Sequence, residues 1–162
     1  MKLCNFLALF SIVSRQEAVH VSNENLLDSK EFFVCGSKVP GIDGHYLLQP
    51  DVIQSDPDTP VFFREDDEDA EERDFRLFRH NGFWMLADVE SWPPVTHFRC
   101  DPTKSQVGID VSEVCGLGLA TPPRIGYSPV NTKLGDFYLT LQTHACEQPR
   151  RAENYSVGKE DL

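Results

Sequence analysis

The sequence lacks the short motifs that mark common catalytic and metal sites. It contains no C-x-x-C pair, no H-E-x-x-H helix motif and no G-x-S-x-G nucleophile elbow, and Gly116-Leu117-Gly118 is not followed by the rest of a dinucleotide-binding loop. The histidines are scattered, without the spacing typical of metal ligands, at His20, His45, His80, His97 and His144. These absences disfavour an enzyme. A small lumenal enzyme with an unrecognised site remains an alternative, ranked behind the two binding hypotheses given below.

The chain is also poor in basic residues. It has 15 Lys and Arg against 26 Asp and Glu, which gives a formal net charge of −11 at pH 7. Nucleic acids and anionic membranes are bound mainly through Lys and Arg. The charge therefore predicts that the protein has no nucleic-acid partner.

No apolar run is long enough to cross a bilayer, whose hydrocarbon core is about 30 Å thick. The longest begins after Lys2 and extends from Leu3 to Val13, interrupted only by Asn5 and Ser11. A basic residue followed by an apolar run of this length is typical of a signal peptide. We therefore predict a signal peptide over residues 1–14 and no membrane span; the alternative is an N-terminal core helix or strand.

The chain ends with four residues of a familiar order: Lys159, Glu160, Asp161 and Leu162. This tetrapeptide resembles the K-D-E-L and H-D-E-L retrieval signals of lumenal proteins, with the two acids exchanged. The resemblance implies a retrieval receptor as a partner and the lumen of the endoplasmic reticulum as the location. The alternative is secretion. Asn154 begins the chain's one N-glycosylation sequon, Asn154-Tyr155-Ser156.

The cysteines agree with entry into the secretory pathway. Cys4 would leave with the signal peptide, which leaves four cysteines in the mature chain, namely Cys35, Cys100, Cys115 and Cys146. An even number in a short translocated chain predicts two disulfides. Three pairings are compatible with the sequence, and the spacing does not choose between them.

The composition favours strands over helices. Eleven prolines, ten glycines and eleven phenylalanines occur in short aromatic and β-branched runs separated by turn residues. We predict an all-β domain over residues 32–146, a small disulfide-bonded sandwich or open barrel of about six to eight short antiparallel strands. An N-terminal arm precedes it at 15–31, and a polar tail follows at 147–162. Strands are predicted at 32–35, 45–48, 61–64, 96–100 and 137–142.

A β-hairpin is the clearest local prediction. Asn81-Gly82 lies between two aromatic-rich runs, and Asn-Gly favours a two-residue hairpin turn. The predicted pairs are Arg79 with Trp84, Leu77 with Leu86, and Phe75 with Asp88. On the opposite face Phe78 lies across from Met85. Because both faces are apolar, we expect the hairpin to be central and covered on each side. The alternative is that one face is an interaction surface.

An acidic run at 65–74 holds eight carboxylates in ten residues. Its functional interpretation is weak calcium binding by Asp66, Asp67, Glu68 and Asp69, because Ca²⁺ takes several oxygen ligands. The run lacks the ligand spacing of an EF-hand. The alternative is a solvated loop without a cofactor.

Aromatic residues suggest a ligand platform. Trp84, Trp92 and Tyr46 are the candidates, either for stacking sugars or for an apolar peptide groove, and the alternative is that they belong to the core. Trp92, beside two prolines, is the best candidate for exposure. The first hypothesis is a non-catalytic lumenal binding or accessory module that acts on secretory-pathway clients. The second is a secreted β-domain that binds carbohydrate or another extracellular ligand.

Overall fold

A computed structural model describes residues 29–65, 73–90, 92–135 and 137–147. The strands are β1 Glu31–Cys35, β2 Gly44–Gln49, β3 Val61–Arg64, β4 Phe75–His80, β5 Phe83–Asp88, β6 Val95–Cys100, β7 Tyr127–Pro129 and β8 Thr140–Gln142. A four-residue helix, α1 Val111–Val114, and a 3-10 turn, Thr132–Leu134, complete the structure. Within these residues, no helix is long and apolar enough to cross a membrane.

Several sequence predictions lie outside the described residues. These are the signal peptide at 1–14, most of the predicted arm, the calcium candidates Asp66, Asp67, Glu68 and Asp69, the sequon at Asn154, and the tetrapeptide Lys159, Glu160, Asp161 and Leu162. They remain predictions.

All eight strands form one antiparallel sheet that is nearly closed. The strand order is β7-β6-β5-β4-β3-β2-β1-β8, so the first seven strands form a meander and β8 pairs with β1. A β-bridge between Tyr127 and Leu139 then brings the two ends of the sheet together. The prediction of an all-β fold is confirmed, and its form is a barrel rather than a sandwich.

The β4–β5 hairpin has the predicted register. Arg79 pairs with Trp84, Leu77 with Leu86 and Phe75 with Asp88. The turn residues Asn81 and Gly82 both have positive φ, 52° and 81°. A type I′ turn requires positive φ at both positions, and Asn-Gly adopts it at little cost. The hairpin is also central in the strand order, as expected.

The barrel interior is filled with large side chains. Alternate residues of each strand point inward, and the most buried of them include Trp84, Tyr46, Tyr127, Phe32, Phe75 and Phe98. Phe32 packs against Phe62 with ring centres 4.7 Å apart. Small barrels are commonly filled in this way. Any pocket on the outer face of the sheet is therefore separated from the interior by packed side chains.

A second apolar cluster lies on the outer face of the hairpin. It consists of Val61, Phe78, Met85 and Ala87, with Val52, Phe63 and Val89 packed against it. Val52 belongs to the connection between β2 and β3, which therefore crosses this face. The hairpin is apolar on both faces, as predicted.

The two predicted disulfides are present, as Cys35–Cys146 and Cys100–Cys115. The first links β1 to the segment after β8, and the second links β6 to the end of α1. Neither the helix α1 nor the strand β7 was predicted from the sequence. Asp110 caps α1 by accepting hydrogen bonds from the backbone of Ser112 and Glu113. β7 has only three residues and ends at a proline, too short for a recognisable alternation.

Candidate functional site

A pocket of about 410 Å³ lies on the outer face of β4, β5 and β6. We call it the outer pocket. Its lining residues come from the β2–β3 connection, the hairpin, β6 and the β5–β6 connection: Gln54, Ser55, Phe78, His80, Met85, Trp92, Pro94 and Thr96. Phe78 and Met85 belong to the outer apolar cluster, so they contribute apolar surface at the hairpin. Trp92 is 90% exposed.

Asp56 fastens the β2–β3 connection to the hairpin turn. Its carboxylate accepts hydrogen bonds from the backbone N–H of Asn81 (2.9 Å), the backbone N–H of Gly82 (2.8 Å) and Nε of Arg79 (3.0 Å). The backbone N–H of Asp56 donates to the carbonyl of Arg79 at 3.3 Å. Ser55, the preceding residue, is thereby held beside His80.

The electrostatics of Asp56 reflect these bonds. Burial acts to raise the pKa of its carboxyl, but hydrogen bonds from Gly82, Arg79 and Asn81, together with the charge of Arg79, hold the pKa below its usual value. The carboxylate is therefore ionised at neutral pH and serves as a fixed acceptor for the turn.

Arg76 orients a second lining residue. Its Nη1 donates to Oε1 of Gln54 at 2.7 Å, and its Nε donates to Oδ1 of Asp74 at 2.8 Å. The guanidinium also lies 4.1 Å from the ring centre of Phe63. Because Oε1 of Gln54 is bonded to Arg76, its Nε2 is the remaining donor, and within the described part of the chain it has no hydrogen-bond partner.

His80 is bonded on both sides. Nδ1 lies 2.5 Å from Oγ of Ser55, and Nε2 lies 3.0 Å from Nδ2 of Asn81. Both ring nitrogens therefore have a polar neighbour, which orients the imidazole, and the contact with Nδ1 positions the Ser55 hydroxyl beside it.

Thr96 supplies a hydroxyl to the outer pocket from β6. Oγ1 donates to the sulfur of Met85 at 3.8 Å, a weak acceptor. The oxygen of this hydroxyl retains its capacity to accept a hydrogen bond.

The predicted aromatic platform requires a correction. Trp84 is 1% exposed and Tyr46 is 0% exposed, and both belong to the interior core. The indole Nε1 of Trp84 donates to the carbonyl of Leu119 at 3.0 Å, and the Tyr46 hydroxyl donates to that of Ile42 at 2.9 Å. Their positions on β5 and β2 point inward, so they cannot stack a ligand together with Trp92.

Only part of the outer pocket could be anticipated from the residue pattern. Phe78 and Met85 were expected to share the face of the hairpin opposite Trp84, with one face as an interaction surface being the alternative. Nothing in the residue pattern pointed to Gln54, Ser55 or Thr96. Among the residues that the structure describes, no group of three or more His, Cys, Asp and Glu side chains is arranged to hold a metal ion.

Comparisons with known proteins returned nothing for this chain. No protein-family model matches it, and neither a curated protein nor a solved structure matches it significantly.

Proposed function

We propose that this protein is a non-catalytic binding module of the secretory pathway, which uses the outer pocket to bind client or partner proteins. The observation that carries the proposal is an apolar pocket with a tryptophan 90% exposed at its margin. Each Å² of apolar surface left in water forgoes about 25 cal/mol of burial energy. A large exposed aromatic side chain beside a pocket therefore contributes little to folding and is well suited to contact a ligand.

A comparison of three forms of the protein tests this function. Trp92→Ala removes the exposed ring, and Val107→Ala is the matched control because Val107 is 96% exposed outside the outer pocket. The three proteins are used for affinity capture from the lumenal contents of the endoplasmic reticulum, with quantitative mass spectrometry. We expect partners captured by the unchanged protein and Val107→Ala to be lost with Trp92→Ala. Equal capture by all three would refute the outer pocket as the ligand surface.

The proposed location is the lumen of the endoplasmic reticulum. Two disulfides support an oxidising compartment, and the signal-peptide pattern and the tetrapeptide Lys159-Glu160-Asp161-Leu162 support entry and retrieval. Immunolocalisation of the intact protein and of Leu162→Ala tests retrieval. Retention of the first and secretion of the second are expected, whereas secretion of both would favour the alternative of a secreted domain.

The proposal assigns no tightly bound cofactor. Weak calcium binding by Asp66, Asp67, Glu68 and Asp69 is retained as an accessory property, on the ground of their carboxylate density. Isothermal titration with Ca²⁺ tests it, and the absence of heat at millimolar metal would remove it.

A further inference from the structure

Among the described residues that line the outer pocket, none is a carboxylate, lysine or arginine. The one titratable residue in this described lining, His80, has both ring nitrogens hydrogen-bonded. A charged ligand group that entered the pocket would lose hydration without gaining an opposite charge, which is costly. The net charge of −11 further opposes anionic ligands. The uncharged lining of the pocket therefore favours a neutral ligand.

The size of the outer pocket suits a small ring. Its volume of about 410 Å³ falls within the 300–1,000 Å³ range of small-molecule sites. A water molecule occupies about 30 Å³ of liquid, so the pocket has room for roughly a dozen small polar groups. One pyranose ring with its hydroxyls is of this size.

The outer pocket also combines one exposed aromatic face with unused polar groups. Trp92 presents its ring to solvent, as an apolar surface for the C–H face of a sugar. Gln54 retains an Nε2 donor, and Thr96 retains an acceptor oxygen. A sugar needs both kinds of contact, because one face of its ring is apolar and its rim carries hydroxyls.

An extended peptide fits the outer pocket less well. Peptides commonly bind sheets by adding a strand to an exposed edge. β4, β5 and β6 each have a strand on both sides, so the backbone beneath the pocket is already paired. A peptide would depend on side chains alone, and among the described lining residues Trp92 is the one exposed aromatic ring.

We infer that the outer pocket binds a neutral pyranose unit of an uncharged glycan, stacked on Trp92 and hydrogen-bonded to Gln54 and Thr96. This inference rests on the proposed binding function and specifies its ligand class. It also gives the module a means of recognising a client protein, through a glycan that the client carries.

Nuclear magnetic resonance of the two indole N–H groups tests the inference with an internal control. Trp84 donates its N–H to Leu119 in the core, whereas Trp92 is exposed. The ¹⁵N-labelled protein is titrated with uncharged oligosaccharides of mannose, glucose and N-acetylglucosamine, each at up to millimolar concentration. We expect a saturable shift of the Trp92 signal, and no shift of the Trp84 signal, with at least one of them.

Variants identify the contacts. Binding by the variants is measured from the shifts of backbone amide signals. Trp92→Ala should weaken binding by about ten-fold or more. Thr96→Val should weaken it by about three- to ten-fold, through loss of one hydrogen bond. Val107→Ala should bind as the unchanged protein does. Retained binding in Trp92→Ala would overturn the inference.

Further titrations distinguish an error in the proposed ligand class from an error in the proposed binding function. A Trp92 shift with an apolar peptide but with none of the sugars would overturn the glycan inference and leave the binding function standing. An equal shift with a hyaluronan fragment, which is anionic, would overturn the requirement for a neutral ligand. No shift with any probe, together with equal lumenal capture by Trp92→Ala, would refute both proposals.

Discussion

At the scale of single residues, the outer pocket depends on a few anchors that do not line it. Asp56 is the clearest, since one carboxylate satisfies the backbone N–H groups of Asn81 and Gly82 and also pairs with Arg79. Hydrogen bonds to a charged group each contribute about 1.5–3 kcal/mol in favourable settings. Such an anchor orders both the hairpin turn and the neighbouring wall of the outer pocket.

Replacement of Asp56 by alanine should therefore destabilise the fold. We expect Asp56→Ala to lower the free energy of unfolding by about 2 kcal/mol, as measured by urea denaturation. Asp51→Ala is the matched control, because Asp51 is exposed in the same connection, and its effect should stay within about 0.5 kcal/mol. Similar effects of the two substitutions would contradict the anchoring role.

The Asp56 contribution should also depend on pH. The folded state holds the pKa of this carboxyl below its usual value, so the contribution is present above the unfolded pKa of about 3.9 and is lost as the pH falls through the folded pKa. The stability difference between the unchanged protein and Asp56→Ala should be constant from neutral pH to about 5 and then shrink below about 4. A difference that persists undiminished at pH 2 would show that ionisation is not its source.

A second residue-scale prediction concerns two glycines with positive φ. Gly126 has φ +100°, and a Cβ there would lie 2.6 Å from the sulfur of Cys115, whereas Gly108 has φ +77° and open space around a Cβ. Both Gly→Ala changes should cost about 1–2 kcal/mol through the backbone. Gly126→Ala should cost about 1–3 kcal/mol more, because of steric overlap with the disulfide. Equal melting temperatures of the two variants would contradict this.

At the scale of elements, the hairpin was predicted in full because its information is local. Asn81-Gly82 determines the turn type, and the turn determines every pair from Arg79–Trp84 to Phe75–Asp88. The same local pattern could not say which apolar face would be inside. Trp84 therefore remained a platform candidate until the structure placed its face in the interior.

The outer pocket was harder to predict because it is assembled from distant elements. Gln54 and Ser55 join Phe78 and Thr96 only because the β2–β3 connection is fastened to the hairpin through contacts such as Asp56–Arg79 and Gln54–Arg76. These contacts span more than twenty residues, and polar loop residues carry no periodic signal. Trp92 was identified because two prolines placed it outside a regular strand.

The two disulfides allow a prediction for the elements that they join. Cys35–Cys146 has a sequence separation of 111 residues and Cys100–Cys115 one of 15. In the chain-entropy model, the longer loop contributes about 5 kcal/mol and the shorter about 3 kcal/mol, because the longer constrains the unfolded chain more. Paired Cys→Ser variants should follow this order in urea denaturation. The reverse order would mean that local packing around Cys100 and Cys115 outweighs the loop term.

At the scale of the whole molecule, barrel closure places the candidate site outside. The interior is filled by aromatic and aliphatic side chains, and the first six strands need only local meander connections. Closure needs β8 to pair with β1, where Phe33 lies opposite Gln142, more than a hundred residues further along the chain. The bridge between Tyr127 and Leu139 then joins the two edges. No local pattern specifies the pairing of β1 with β8, which explains why sandwich and barrel were both compatible with the sequence.

The difference in pairing between the hairpin and the closing seam predicts where the barrel opens. Six residue pairs join β4 to β5. Across the closing seam, the described backbone contacts are the Tyr127–Leu139 bridge and the hydrogen bond from the Leu141 N–H to the Arg124 carbonyl at 2.7 Å, to which Nε of Arg124 adds a long hydrogen bond to the Leu141 carbonyl at 3.4 Å. Native-state hydrogen exchange measures such differences, since weakly held regions open below the global unfolding free energy.

We expect the Leu141 amide to exchange on the order of a hundred-fold faster than the slowest amides of β4 and β5, a difference of nearly 3 kcal/mol in opening free energy. Urea below the unfolding midpoint should accelerate the hairpin amides but hardly affect Leu141, because only global unfolding exposes much surface. Equal protection at both places, with equal sensitivity to urea, would mean that the seam opens only when the whole barrel unfolds. The closing bridge would then be as firmly held as the hairpin, and closure would be part of the cooperative fold.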